Sequence, residues 1–183
     1  MSQPYQQRRK GAEKRPIPPL DGPALERLAL RYVERFATTR ARLASYLVRK
    51  IRERGWEGEA ADPAALAERL AGLGYIDDRA FAETRATAMS RRGLGRRRVS
   101  GALRAAGIGA EDAEAVAPGI AARSLEAAMA FARRRRIGPF ADALADRPLR
   151  EKQVAAMIRG GHDFELSRKI VNLSPGEALE YYE

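Results

Sequence analysis

Apolar residues recur every three or four positions from Asp21 onward, which is the spacing of one face of an α-helix. The stretch DGPALERLALRYVERF shows this pattern first, with Leu25, Leu28 and Tyr32 on a common face. Its first residues carry helix-start signals as well, because aspartate caps free N–H groups and proline fits the first turn. We therefore predict a helix that begins after Asp21.

Three further segments show the same periodicity. RARLASYLVRKIRERGW stops at a glycine, whereas ADPAALAERLAGLG and YIDDRAFAETRATAMSRR begin with the capping residues Asp62 and Asp77. In the last of these, Phe81 and Met89 are expected to face inward. Strand signals are nearly absent, because β-branched residues never alternate with polar ones over a usable length. The predicted fold class is all-α.

The helical segments also repeat. Residues 29–56 align without a gap on residues 81–108, a constant shift of 52, so that Arg40 matches Arg92 and Gly55 matches Gly107. A looser third copy aligns Met157 on Leu103 with a shift of 54. Small helical units of this kind need neighbours to cover their apolar faces, which predicts an elongated tandem array of three units.

The predicted boundaries follow from these signals. The first residues are polar, basic and proline-bearing, which is typical of a disordered arm. We assign a disordered basic arm (1–20), helical repeat 1 (21–58), helical repeat 2 (59–108), helical repeat 3 (109–173) and a C-terminal tail (174–183).

The net charge of the chain indicates which kinds of molecule it is expected to bind. Lys and Arg number 34 against 24 Asp and Glu, giving a formal net charge of +10, which favours nucleic acid, a nucleoprotein or an acidic protein face. The alternative is that the arginines reflect genome composition and are solvated. There is no cysteine, hence no disulfide or thiolate site, and no apolar run approaches the roughly 20 residues of a membrane helix. We expect a protein of the cytoplasm, without a membrane partner.

The stretch SRRGLGRRRVSGALRAAGI allows three interpretations: a phosphate-binding loop, a nucleic-acid contact, or a glycine turn between basic helices. A phosphate loop would need a preceding strand and a Gly-x-x-x-x-Gly-Lys-Ser/Thr or Gly-x-Gly-x-x-Gly pattern, which are missing. We therefore expect Gly93 and Gly95 to turn the chain. On the helix that follows, Val99 and Leu103 face inward while Arg97 and Arg104 face outward.

Two groups of arginines lack nearby acids, and we predict them as contact residues for a polyanionic partner, although a solvated helix face explains any single one equally well. The candidates are Arg91, Arg92, Arg96, Arg97, Arg98, Arg104, Arg133, Arg134, Arg135 and Arg136.

No catalytic set is found. His162 is the only histidine and takes the place of Trp56 and Ile108 in the repeat, which favours a packing role. Helix capping explains the paired carboxylates Asp77 and Asp78. No histidine and carboxylate cluster has metal-ligand spacing, so we expect no enzyme, no metal and no cofactor.

The central segment, LAGLGYIDDRAFAETRATAMSRRGLGRRRVSGALRAAGI, resembles the signature of the RecX family of bacterial regulatory proteins. The matching parts are Ile76-Asp77-Asp78, Phe81-Ala82, Arg92-Gly93-Leu94-Gly95 and the closing Leu103-Arg104-Ala105-Ala106-Gly107-Ile108. MIRGGHDFELSRKIV resembles the closing segment of the family, so the similarity covers about residues 25–172. Arg85 and His162 depart from it, since both stand where apolar residues are usual.

The resemblance implies three tandem three-helix units in a curved rod that acts without catalysis. It further implies binding to the RecA recombinase and its DNA filament, and inhibition of ATP hydrolysis, strand exchange and repressor cleavage. We expect a monomer that binds single- or double-stranded DNA weakly by itself. Two alternatives stay open: an independent DNA- or RNA-binding helical-repeat protein, and a structural adaptor whose charge is incidental.

Overall fold

The computed structural model describes residues 18–177, and this part of the chain is helical. Its only β feature is an isolated bridge between Leu20 and Trp56. The α-helices are α1 (Gly22–Arg35), α2 (Arg40–Arg54), α3 (Pro63–Gly72), α4 (Asp78–Arg91), α5 (Arg96–Ala105), α6 (Ala110–Ala122), α7 (Ser124–Arg135), α8 (Arg147–Arg159) and α9 (Phe164–Asn172), with a short 3₁₀ turn at Gly138–Phe140. The all-α prediction is confirmed.

Side-chain caps fix where several helices begin. The carboxylates of Asp21, Asp62 and Asp77 accept hydrogen bonds from backbone N–H groups in the first turns of α1, α3 and α4, as their positions in the sequence predict. Asp146 and Asp163 do the same for α8 and α9. The starts of these helices are therefore determined locally.

The described helices form three groups of three, each around its own apolar core. The first core joins α1, α2 and α3 around Leu43, Leu47 and Leu70. The second joins α4, α5 and α6, and the third joins α7, α8 and α9. We call these groups unit 1, unit 2 and unit 3. The elongation of the array stays a prediction.

Core packing divides the chain at other points than the predicted boundaries at 58 and 108. Ala67 and Leu70 of α3 belong to the first core, and Val116 and Ile120 of α6 belong to the second. The repeat match covers only the first two helices of each unit, so it does not determine to which unit the third helix belongs. We propose units at 20–76, 78–122 and 124–173 instead.

The predicted arm also ends earlier than residue 20. Leu20 is fully buried in the first core, and its N–H and C=O groups bond to Gly55 and Glu57. An apolar side chain with both backbone groups paired belongs to the folded unit. The rest of the predicted arm, residues 1–17, and the last six residues of the predicted tail lie outside the described part of the chain.

The same kind of junction joins successive units. The turn between the first two helices of one unit meets the turn between the last two helices of the next. Thr39 donates a hydrogen bond of 2.6 Å to the Ala106 carbonyl, and Gly95 and Arg97 donate backbone bonds of 2.9 and 3.1 Å to Gly160 and Gly161. Gly107 and Gly161 occupy equivalent positions in the repeat, so the array uses one junction geometry twice.

Gly93 and Gly95 serve the second of these junctions. Gly93 has φ +73°, which favours glycine, and a Cβ there would lie 2.7 Å from the backbone nitrogen of Phe131. A Cβ on Gly95 would overlap the backbone of Gly161. The prediction that these glycines turn the chain is incomplete, because they also let two units come into backbone contact.

Candidate functional site

All ten arginines predicted as contact residues are exposed. Within residues 18–177, only Arg136 among them forms a salt bridge, with its Nη1 3.0 Å from an oxygen of Asp142. Unpaired guanidinium groups on a surface can bind phosphate or carboxylate without first losing a protein partner. In the structure, these ten arginines lie in several different clefts and grooves of the surface.

Three of the predicted residues converge in one cleft. Arg97 and Arg98 of α5 and Arg135 of α7 line it together with Arg159 of α8. We call it the α5–α8 cleft; its volume is about 840 Å³. Its remaining lining residues are glycine or apolar, with no Asp or Glu. Four guanidinium groups around an apolar floor make this a strongly positive concave surface.

Residues of unit 2 and unit 3 line this cleft together and contact each other across it. Arg98 donates from Nε to the Arg159 carbonyl at 3.0 Å, which fixes one guanidinium across the junction. The guanidinium carbon of Arg135 lies 5.4 Å from the centre of the Phe131 ring, a cation–π contact. The cleft therefore depends on the glycine junction that sets α5 against α8.

A second cleft lies on the other side of α5, between unit 1 and unit 2. Arg104 of α5 faces Arg42 and Arg49 of α2 there, in a cavity of about 710 Å³ that we call the α2–α5 cleft. Tyr46 lies beneath the guanidinium of Arg49, at 5.6 Å from ring centre to carbon. This lining also contains no Asp or Glu, so α5 stands between two acid-free basic clefts.

The other predicted arginines do not join the two clefts. Arg91 lines a groove between α4 and α6 that also contains Glu83, and Arg96 lines a pocket with Asp163. Arg92 lines a separate groove along α4. The guanidinium carbon of Arg133 lies 4.9 Å from the centre of the Phe140 ring. The guanidinium of Arg134 lies beside Gly93.

Three cleft residues were not predicted: Arg42, Arg49 and Arg159. Arg42 and Arg49 lie on α2 and Arg159 lies on α8, the helices equivalent to α5 in the repeat. Comparing the three second helices of the repeat would have found them, since the clefts form where these helices are neighbours.

His162 is a buried junction residue. It is 2 % exposed, its Nε2 lies 3.2 Å from the Gly93 carbonyl, and its ring packs edge-on against Phe131 at 5.2 Å. Burial lowers the pKa of His162 below its usual value, although the hydrogen bond to Gly93 acts in the opposite direction. The ring is therefore neutral at pH 7, and Nε2–H donates to the carbonyl. This environment agrees with the predicted packing role.

No helix between residues 18 and 177 is long and apolar enough to cross a membrane. Over the same range, no group of three or more His, Cys, Asp or Glu side chains is placed to hold a metal ion.

Comparison with known proteins identifies the family. A family profile described as "RecX, second three-helix domain" matches residues 77–116, which correspond to most of unit 2. "Regulatory protein RecX" of Myxococcus xanthus is 32 % identical over 163 residues, covering 82 % of this chain and 86 % of that protein. "Regulatory protein RecX" of Agrobacterium fabrum is 29 % identical, covering 82 % of this chain and 83 % of that protein.

These matches define the class as a regulatory protein built from three-helix domains. The chain belongs to the RecX family. The resemblance seen in the sequence is thereby confirmed.

Proposed function

We propose that this protein regulates the RecA recombinase by binding the RecA–DNA filament through the two basic clefts beside α5. Binding would inhibit ATP hydrolysis, strand exchange and repressor cleavage, and the protein itself would act without catalysis. Family membership and the implied partner of the family support this function. We further propose that it acts as a monomer in the cytoplasm.

The observation that carries the proposal is the absence of acid from both cleft linings. The α5–α8 cleft presents four arginines and the α2–α5 cleft three, with no carboxylate in either lining. Phosphate groups of DNA and carboxylates of a protein both suit such surfaces. A nucleoprotein filament offers both kinds of anion along one groove.

An independent DNA- or RNA-binding function is the second candidate. The same clefts would serve it, because phosphate contacts supply most non-specific affinity. Base-specific reading has little support on α5, whose exposed residues include no Asn or Gln for bidentate contacts with adenine. We therefore favour contacts to the backbone of the nucleic acid.

The rate of ATP hydrolysis by RecA on single-stranded DNA distinguishes these functions. A RecA regulator lowers this rate at concentrations well below those that coat the DNA. A DNA-binding protein lowers it only in proportion to the DNA it occupies, so adding more DNA restores it. No change at any concentration would contradict the proposed inhibition.

A further inference from the structure

A third concave surface follows α4 on unit 2 and is unlike the two basic clefts. Every turn of one face of α4 lines it, from Asp77 through Phe81, Arg85 and Met89 to Arg92. Asp77 and Arg92 are fifteen residues apart, which corresponds to a helix length of roughly 22 Å. We call this surface the α4 groove; its volume is about 640 Å³.

The groove is mainly apolar. Tyr75 is 51 % exposed at its edge, and Phe81 and Met89, predicted to face inward, are only half-buried. Thr38 also lines the groove; it is 7 % exposed, and its hydroxyl has no hydrogen-bond partner in the described part of the chain. Exposed apolar surface carries a cost that a bound partner relieves.

The charge of the groove is positive and regularly spaced. Arg85 and Arg92 are seven residues apart, which separates them by about 10 Å along one face of the helix. Neither forms a salt bridge with any residue in 18–177, and both are exposed. The one acid of the lining, Asp77, is engaged as the helix cap, accepting from the Ala80 N–H at 2.8 Å.

We propose that the α4 groove binds an amphipathic helix of a partner protein, with apolar side chains in the groove and acidic residues opposite Arg85 and Arg92. A helix laid along α4 presents residues seven apart at the same spacing, so two of its carboxylates can face both arginines. Apolar anchors on one helix face are the general mode of helix-in-groove recognition.

A protein segment fits this surface better than nucleic acid does. Most of the lining is aliphatic or aromatic, and Asp77 at one end repels phosphate. The α5–α8 cleft adjoins the groove and shares Met89 and Leu94 with it, but the four arginines of that cleft do not line the groove. The inference rests on the proposed function, because the partner is taken to be the protein part of the filament, and it assigns protein and DNA to different surfaces.

Photo-crosslinking tests the assignment directly. An azidophenylalanine replaces Ala80, which lines the groove, or Ala117, an exposed alanine of α6 outside it, as a matched control. Each variant is irradiated with RecA filaments on single-stranded DNA and a non-hydrolysable ATP analogue. We expect residue 80 alone to crosslink, to an apolar RecA helix bearing acidic residues. Crosslinks to DNA, or equal yields from both positions, would overturn the proposal.

Charge variants provide a second readout. Arg85→Glu should weaken co-sedimentation with the filament about tenfold, whereas Arg85→Lys should weaken it less than about threefold. Affinity for naked single-stranded DNA should be equal in all three proteins. If Arg85→Glu leaves filament binding unchanged, or weakens naked DNA binding as much, the groove does not bind a protein helix. If the wild type itself does not co-sediment, the proposed function has failed first.

Discussion

The two junctions of the array have the same geometry but different chemistry. Between unit 1 and unit 2, Arg40 lies 3.0 Å from Asp78 and 3.4 Å from Asp112, and within unit 1 it also lies 3.2 Å from Glu68. Between unit 2 and unit 3, glycine backbones touch, and the ordered side-chain contacts are those of Arg98 and His162 with carbonyl groups. A repeat can therefore keep one docking arrangement while exchanging ion pairs for close backbone packing.

This difference matters for function because only the glycine junction places four arginines in one cleft. At the first junction, carboxylates neutralise Arg40, and Arg49 pairs with Glu53 at 3.6 Å, so Arg42 and Arg104 are the arginines of the α2–α5 cleft without a salt bridge in the described residues. At the second junction, the contacts made by arginine use carbonyl oxygens, which leave the positive charge uncompensated. The second junction therefore brings positive charges close together, and it depends on glycine residues.

Replacing Gly95 by alanine should have the largest effect on stability. The new Cβ would overlap the backbone of Gly161, which cannot move without separating unit 2 from unit 3. We expect a loss of about 3 kcal/mol in the free energy of unfolding, measured by urea titration. Gly101→Ala on the same helix meets no atom within 4 Å and should gain roughly 0.5–1 kcal/mol. Equal effects of the two variants would show that the junction tolerates a side chain.

Arg40→Ala should weaken the first junction by a smaller amount. It removes the charged partner of Asp78, whose side chain is 4 % exposed, although the Arg40 backbone N–H still donates to it at 3.0 Å. Because the Arg40 side chain is itself 38 % exposed, we expect a loss of about 1–2 kcal/mol, well below that of a fully buried pair. Urea titration at low and high salt measures it. A stability unchanged by the substitution would mean that solvent replaces the ion pairs.

Acidification should produce the smallest effect, and only at the second junction. Because burial lowers the pKa of His162, the unfolded chain takes up a proton below about pH 6.5 before the folded chain does. Stability should therefore fall as the pH decreases from 7 to 5.5. The first junction contains no histidine, since His162 is the only one in the chain. In His162→Gln this pH dependence should disappear from thermal melts; its persistence would point to another group.

The fold could be predicted largely from local signals. The capping aspartates, the helical periodicity and the shift of 52 residues each act within a short stretch, and the structure has helices at all of these places. The boundaries that we propose for units 1 and 2 differ from the predicted ones because α3 and α6 lie outside the repeat match. The unit to which α3 or α6 belongs depends on the apolar core in which Leu70 or Ile120 is buried.

The site was harder to predict, because charge identifies arginines but not their neighbours. Arg97 and Arg98 of unit 2 meet Arg135 and Arg159 of unit 3 only through the junction, where Arg98 bonds to a residue 61 positions away. The glycines that allow this approach were interpreted as turns, since nothing local shows that another backbone lies against them. Arg85 departs from an apolar pattern in the sequence, and in the structure it lines the α4 groove.

A salt titration of binding tests most directly whether the clefts beside α5 contact a polyanion. The variant Arg97→Glu/Arg104→Glu changes one arginine in each cleft, and Arg27→Glu/Arg150→Glu changes two exposed arginines outside both clefts by the same charge. Thermal melts of both should match that of the wild type, since all four side chains are exposed.

On single-stranded DNA, each lost phosphate contact lowers the slope of log K against log salt by about 0.7. We predict a slope about 1.4 flatter and much weaker binding to DNA and to the RecA filament for the cleft variant alone. If the cleft variant binds like the wild type at every salt concentration, or if the control loses as much, the clefts are solvated surface and the account is contradicted.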